Sequence, residues 1–356
     1  MAAPFTSTSH NAEVSMSLMH TPVLILGSGV VGLTSAIRLL EAGHPVTIVH
    51  DRPITGGPSS VAPALFTPYQ GPPHDTLVRW IEESLRAFRA IERSAGLAAG
   101  LHTAPVRWYK FSKDSPADGP WEHLLNERPI SIPTGVPVAA ILETDRPHID
   151  TTRYIPWLHA RATSLGARFV KERVTAFDQL FDRGARVILN CAGLGARELA
   201  HDPRVRPVRG IIARVPNDLG LTRGVHDDSP NGLVTYVFVY PTHLAIGSTF
   251  ELDDWNTEYA TDEFLAIFDR ARRLLDYDGV ANAGELSPID ATYHIALRPA
   301  RVRDGAGTDF TFEDIRLELE RTSRGRIIHN YGHGRMGISL SWGTARDALE
   351  LVRSIQ

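Results

Sequence analysis

The chain has 356 residues, 43% hydrophobic and 22% charged, enough to bury a sizeable core as one composite unit or two domains. Its 37 basic and 41 acidic residues leave a formal charge of -4, which excludes broad electrostatic capture of nucleic acid or an anionic membrane and makes a small molecule the expected ligand. A single cysteine, Cys191, excludes an intrachain disulfide and a cysteine-based metal cluster and fits a cytoplasmic protein.

Residues 1–20, MAAPFTSTSHNAEVSMSLMH, have neither a basic n-region nor a continuous apolar run, so they read as a disordered leader with further candidate starts at Met16 and Met19. No apolar stretch approaches the roughly 20 residues that span a bilayer. The closing SIQ is not a peroxisomal address of the SKL type.

Residues 22–27 predict an apolar strand, Gly27 to Gly32 a tight turn, and 30–42 a helix with Val31, Ala36, Leu39 and Leu40 on one side and Gly43 as its stop. HPVTIVHD gives a second buried strand ending at Asp51. Gly27, Gly29 and Gly32 therefore spell GxGxxG between a strand and a helix, with an acid about twenty residues on, as dinucleotide binding requires. Gly27 permits the turn, Gly29 lets the backbone approach a pyrophosphate, and Gly32 lets helix and strand pack closely; Asp51 would hold a ribose hydroxyl. The bland alternative is a glycine-rich turn and nothing more.

Residues 52–73 are rich in Gly, Pro, Ser and Thr and predict a loop. An amphipathic helix over Asp75–Ser94 follows, with Leu77, Ile81, Leu85, Phe88 and Ile91 as its buried stripe. The interleaved apolar positions of LRAFRAIER make its arginines a solvated flank rather than a nucleic-acid site. Residues 100–149 suit a β-rich excursion, Thr151 is the expected cap of a helix reaching Gly166, and RFVKERVTAF returns as a strand.

ARVILNCAGLGARELA repeats the strand, glycine turn and helix order. Several strands are expected between residues 205 and 299, interrupted by a helix near 261–275. In TYVFVY, Tyr236, Phe238 and Tyr240 recur with period two and so share one sheet face; an aromatic core stripe explains the spacing equally well. RIIHNYGHGRMG is a strand entering a glycine turn, and GTARDALELVRS a closing helix.

Gly332, Gly334 and Gly337 repeat GxGxxG, yet only 19 residues follow, enough for one helix but not for a second mononucleotide unit. This turn should serve the same cofactor, aiming backbone donors at an electron-rich ring such as the N1 and O2 side of a reduced flavin. His329 and His333 lie on a strand entering a turn, not on one helix face, so they are expected to be structural and no metal is expected.

With these pieces in order the chain resembles the D-amino-acid oxidase family of FAD enzymes, in a glycine-oxidase-like branch. The resemblance runs from about Thr21 to the end of the chain and is carried by VLILGSGVVGL, HDRP followed by SSVAPALFTPY, NCAGLGA, VRPVRG, ALRPAR and HNYGHGRMGISLSWG. It implies an α/β fold: a Rossmann-like FAD-binding domain with an interleaved α+β substrate domain on a mixed, largely antiparallel sheet. The expected division is 21–68, 150–212 and 297–356 for the FAD domain, and 69–149 and 213–296 for the substrate domain.

The resemblance implies FAD held without a covalent link, near Gly27, Ser28, Gly29, Val30, Val31, Gly32, Asp51, Arg52, Ser59, Ser60, Ala64, Leu65, Val174, Cys191, Ala192, Gly193, Gly334, Arg335, Met336, Gly337, Ile338 and Ser339. It implies hydride transfer from an amino acid α-carbon, most readily of a D-amino acid, to flavin N5. The imino acid would hydrolyse to a 2-oxo acid and ammonia, with dioxygen reduced to peroxide. Such a transfer needs alignment more than a general base.

Arg298, which spacing alone would leave as a surface or ion-pair arginine, falls on the family's carboxylate clamp, and Tyr236 on its active-site tyrosine. Leu65, Thr67, Phe238 and Arg335 fall around the substrate pocket. A homodimer is the implied assembly.

Three departures stand out. Gly232 replaces a second tyrosine on the family's mobile lid, Ala64 replaces a glycine of the flavin-facing loop, and Arg335 replaces a glycine or other small residue. Arg335 can recognise a second substrate carboxylate, fill side-chain space or point into solvent. A specialised oxidase or dehydrogenase on another amine, an imino acid or a carrier-bound amino acid remains the alternative. A noncatalytic NAD(P)-binding protein is disfavoured by the missing second unit.

Overall fold

The computed structural model describes residues 21–67, 74–112, 122–228, 234–303 and 315–355. The expected leader and the lid position Gly232 lie outside them. In chain order the first half contains β1 (Val23–Leu26), α1 (Val30–Glu41), β2 (Val46–His50), α2 (Pro58–Val61), β3 (Pro63–Leu65), α3 (Asp75–Ser94), β4 (Leu101–Lys110), β5 (Arg128–Ile130), β6 (Ala140–Asp150) and α4 (Thr151–Ser164). The second half contains β7 (Arg168–Lys171), β8 (Val187–Asn190), β9 (Val205–Val215), β10 (Gly224–Asp227), β11 (Tyr236–Val239), β12 (Leu244–Gly247), β13 (Glu251–Leu252), α5 (Thr261–Tyr277), β14 (Thr292–Arg301), β15 (Arg316–Arg321), β16 (Arg326–Tyr331) and α6 (Gly337–Arg353).

One sheet has the order β15-β16-β8-β1-β2-β7. It is parallel from β16 to β7, with β15 antiparallel at one edge. Helices α1, α3, α4 and α6 cover it, and their apolar faces share a core with the strands that includes Leu33, Ile37, Trp80, Phe88, Leu158, Leu340 and Trp342. The stripe expected on α3 is buried in full. In α1 the buried surface is broader than expected: Leu33, Ala36, Ile37 and Leu39 are buried, while Val31 and Leu40 are half-buried.

The second sheet has the order β13-β9-β12-β11-β10-β4-β6-β3, with β14 also paired to β9 and β5 to β6. Its pairs are antiparallel except β10 with β4. Helix α5 packs on one face against Val225, Val237, Val239 and Ile246. The opposite face turns toward the first unit.

Local differences from the expectations have simple causes. Asp150, not Thr151, caps α4, its carboxylate accepting the Thr152 amide at 3.0 Å. Thr151 instead donates its hydroxyl to the Ser60 and Ala62 carbonyls. The strand over RFVKERVTAF ends at Lys171, and α6 begins at Gly337 rather than at Gly343. Strands β9 and β14 run unbroken across the expected boundaries at 212 and 297, and α3 packs into the core of the parallel unit, because strand and helix continuity rather than motif position sets sheet membership. No helix among the described residues is long and apolar enough to cross a membrane.

Candidate active site

Parallel strands present their carboxyl ends along one edge, and the turns that leave those ends are where ligands bind in such sheets. Here β1 ends at Gly27, β2 at Asp51, β7 ahead of Val174, β8 at Cys191 and β16 at Gly332, so that edge collects residues from distant parts of the sequence. Val174 packs in a small cluster with Leu180 and Ile188.

The first turn can only be built from glycine. Gly27 has φ +110°, and a Cβ there would lie 2.4 Å from the Cys191 carbonyl oxygen. A Cβ on Gly32 would lie 2.0 Å from the Gly27 carbonyl oxygen, so helix and strand touch through backbone. Gly29, by contrast, meets only the Ser59 hydroxyl at 3.3 Å, leaving its outer side open to a ligand. Its α1 terminus has no side-chain cap. A helix start not capped by its own N-cap residue, with the positive end of the dipole, is suited to a pyrophosphate, although the first amide, that of Val30, is shared with the Ser59 hydroxyl.

Other expected cofactor residues take distinct parts. Ser28 is half-buried in the turn, beside Val30 and Val31 at the head of α1. The Ser59 hydroxyl accepts the Val30 amide at 3.2 Å. Ser60 spends its hydroxyl on the Thr55 and Gly57 carbonyls and so shapes the loop. Asp51 and Arg52 are exposed, 3.9 Å apart, at the mouth where a ribose hydroxyl would sit. Cys191 ties its amide to the Leu26 carbonyl, the Ala192 amide donates to the Asn190 side-chain oxygen, and Gly193 turns with φ +58°. Burial pushes the Cys191 thiol up to about 12, which leaves it a packing group, not a nucleophile.

The second glycine turn lies at the same edge. Gly332 and Gly334 have φ +89° and +55°, and His333 bridges to Ala300. Gly334, Arg335 and Met336 form a single short turn, after which Gly337, Ile338 and Ser339 open α6, whose start also lacks a side-chain cap. The Ser339 hydroxyl accepts the Thr67 amide at 3.3 Å, joining this terminus to the segment that follows β3. Two helix starts whose own N-cap residues make no side-chain cap therefore meet one crevice, a donor set that fits the pyrophosphate and the electron-rich edge of FAD. His329 bonds Glu320 and Asn190, and His333 contacts Thr344.

β3 is an edge strand of the second sheet. Phe66 donates its amide to Pro147, so by the alternation of antiparallel pairs Leu65 turns its own amide away from β6. The Tyr240 hydroxyl donates to the Ala64 carbonyl at 3.1 Å and steadies this loop. Tyr236, Phe238 and Tyr240 share one apolar cluster with Leu65, as their period-two spacing predicts.

Arg298 lies on the same face. It donates through Nη1 to the Thr249 and Arg209 carbonyls at 3.0 and 3.3 Å and through Nη2 to the Ser248 hydroxyl at 2.7 Å, with its guanidinium 4.3 Å from the Phe250 ring centre. All these acceptors are neutral. Among the described residues no carboxylate pairs with it, whereas Arg301 nearby is ion-paired to Asp202. Burial lowers the Arg298 pKa from the usual arginine range, and the charge of Arg335 lowers it further. Arg335 itself is exposed on its turn.

Tyr236 stacks on Phe238 at 4.4 Å, and burial pushes its phenol up to about 12, so it stays protonated. Two glycines make room for this pair. A Cβ on Gly210 would come 2.1 Å from Arg298 Nη1, and one on Gly247 would come 2.4 Å from the Tyr236 hydroxyl. Gly210 closes the VRPVRG stretch but nothing there announces its role, and neither Gly247 nor Ser248 is marked by a local motif; the register across β14, β9, β12 and β11 reveals what they do. Among the described residues no group of three or more His, Cys, Asp or Glu side chains is placed to hold a metal.

Comparison with known proteins agrees with this geometry. The chain is 32% identical over 337 residues to a D-amino-acid oxidase of Streptomyces coelicolor, covering 92% of this chain and 96% of that one. It is 29% identical to the human D-aspartate oxidase, covering 93% and 94%. The glycine oxidase structure from Geobacillus kaustophilus superposes with a TM-score of 0.73 at 18% identity, over 94% of this chain and 95% of that one, a likeness of fold. The family model described as FAD dependent oxidoreductase matches residues 22–351, and with it the protein belongs to the FAD-dependent oxidoreductases of the D-amino-acid oxidase family.

Proposed function

We propose that the protein holds FAD without a covalent bond in this crevice and oxidises a D-amino acid. FAD supplies the acceptor for a hydride from the α-carbon; the imino acid hydrolyses to a 2-oxo acid and ammonia, and dioxygen takes the electrons to give peroxide. The observation that carries the reading is the half-buried Arg298 guanidinium, held by neutral acceptors and paired with no carboxylate of the described residues. A substrate carboxylate completes it through charge-assisted hydrogen bonds and so fixes which face of the α-carbon is presented. The protonated Tyr236 hydroxyl can donate to the same carboxylate, and Phe238 and Leu65 exclude water around it. The work of these residues is alignment.

Purified protein should be yellow, with bands near about 370 and 450 nm, and should release peroxide and ammonia from D- but not L-amino acids. Colourless protein that cannot be reconstituted with FAD would sink the reading. Anaerobic bleaching without aerobic peroxide would make it a dehydrogenase. The reading includes a cytoplasmic homodimer, which sedimentation can test.

Within this reading Arg335 favours acidic substrates. Its charge is felt at Arg298, so a ligand bringing a second carboxylate relieves the repulsion between two cations. The ratio of kcat/KM for D-aspartate or D-glutamate to that for D-alanine should fall about tenfold or more in Arg335→Gly. An unchanged ratio would remove Arg335 from substrate selection.

A further inference from the structure

Arg214 is a second cation on the pocket face that the proposed chemistry does not use. It lies on β9, opposite Ala245 of β12 and Thr292 of β14. It donates through Nη1 to His294 Nε2 at 2.8 Å and through Nη2 to the Val61 carbonyl at 2.8 Å. Both partners are neutral: burial, then the charge of Arg214, lowers the His294 pKa, so its Nε2 is an acceptor. Burial lowers the Arg214 pKa, and no carboxylate of the described residues is hydrogen-bonded to it; the buried Asp150 acts on it through space alone and leaves the guanidinium without a direct ionic partner.

Val61 ends α2, in the segment that crosses the cofactor crevice. At one end of that segment Ser59 holds the first amide of α1, where a pyrophosphate would bind. At the other, Leu65 and Thr67 reach the start of α6, where the ring would bind. Arg214 enters between these ends from the substrate sheet. Tyr236 feels the charges of both Arg298 and Arg214, so the two guanidiniums flank the reacting region.

We infer that Arg214 is the internal counter-charge of the redox centre, a positioning residue that stabilises the negative charge appearing on FAD when the substrate hydride, with its two electrons, arrives. The inference rests on the FAD reading above. A fixed cation beside the ring in a water-poor site would make reduction more favourable and strengthen any adduct that leaves the ring anionic. Sulfite is such a probe, because its addition to flavin N5 needs no substrate and no Arg298.

The test uses FAD-loaded protein and reads the midpoint potential and the sulfite dissociation constant. Arg214→Gln, which removes the charge, should lower the potential and weaken sulfite binding about tenfold or more, while Arg214→Lys should stay within about threefold of the parent. His294→Glu supplies the same loss by neutralising the guanidinium where it stands, and it keeps the test open if Arg214→Gln does not retain FAD. A merely structural strut would give the opposite order, with Lys as damaging as Gln and His294→Glu neutral in potential. That order, or unchanged potential and sulfite affinity in FAD-loaded Arg214→Gln or His294→Glu, overturns the inference. If the unmodified protein binds FAD and oxidises D-amino acids in that same experiment, the failure belongs to Arg214 alone.

Discussion

At the scale of single residues the site depends on shape as much as on charge. Arg298 meets its acceptors with a planar fork, which in the proposed reading also takes the substrate carboxylate, so Arg298→Lys keeps the charge but loses the bidentate geometry. Its kcat/KM for D-alanine should fall about a hundredfold or more, mostly through KM, in steady-state assays. Gly247→Ala puts a methyl group where the Tyr236 hydroxyl lies and should raise KM several-fold with FAD content unchanged. A Gly247→Ala enzyme with wild-type KM would show that Tyr236 does not contact substrate. These two glycines illustrate why part of the site was hidden in the sequence. GxGxxG announces itself because its three functions lie within six residues, whereas Gly210 and Gly247 acquire their roles from side chains 88 and 11 positions away, brought to them by strand pairing.

At the scale of elements, sequence pattern located what repeats locally. The α3 stripe needed only the helical period, and the observed helix has the expected ends. Caps were less legible, since Asp150 and Thr151 are both competent and their order in the turn decided between them. Membership of the two sheets depends on pairing over long range, which no window of residues contains. One contact between elements is especially tight: a Cβ on Gly343 of α6 would lie 2.4 Å from the backbone of Trp80 in α3. The neighbouring Trp80 Nε1 and Arg79 both donate to Asp347, so the helices cannot readily slide apart. Gly343→Val should therefore cost about 1–3 kcal/mol through overpacking, seen as a lower Tm. An unchanged Tm would mean the interface relaxes freely.

At the scale of the whole molecule, buried neutral histidines tie stability to pH. Burial lowers His148 to about 3 and His333 to about 4, and holds His226 well below the usual histidine range. His148 stacks on His102 and meets the edges of Phe238 and Tyr240, within the wall behind the pocket. The unfolded chain takes up protons as pH falls through about 6.5 while these folded side chains do not, so stability drops over that window down to the folded values. Each fully buried histidine should contribute about 2 kcal/mol of loss between pH 7 and pH 5. Denaturant titrations at the two values should show a smaller difference in His148→Asn; an equal difference would place the proton uptake elsewhere.

Helix α6, the last regular element, lays its residues against α1, the first, through the Thr34 hydroxyl and the Ser341 carbonyl at 3.1 Å. A chain still emerging from the ribosome has its phosphate turn long before it has the opposite wall of the crevice. If FAD binds as proposed, its retention awaits α6: a nascent chain stalled before residue 337 should hold the nucleotide more weakly than one that already carries that helix.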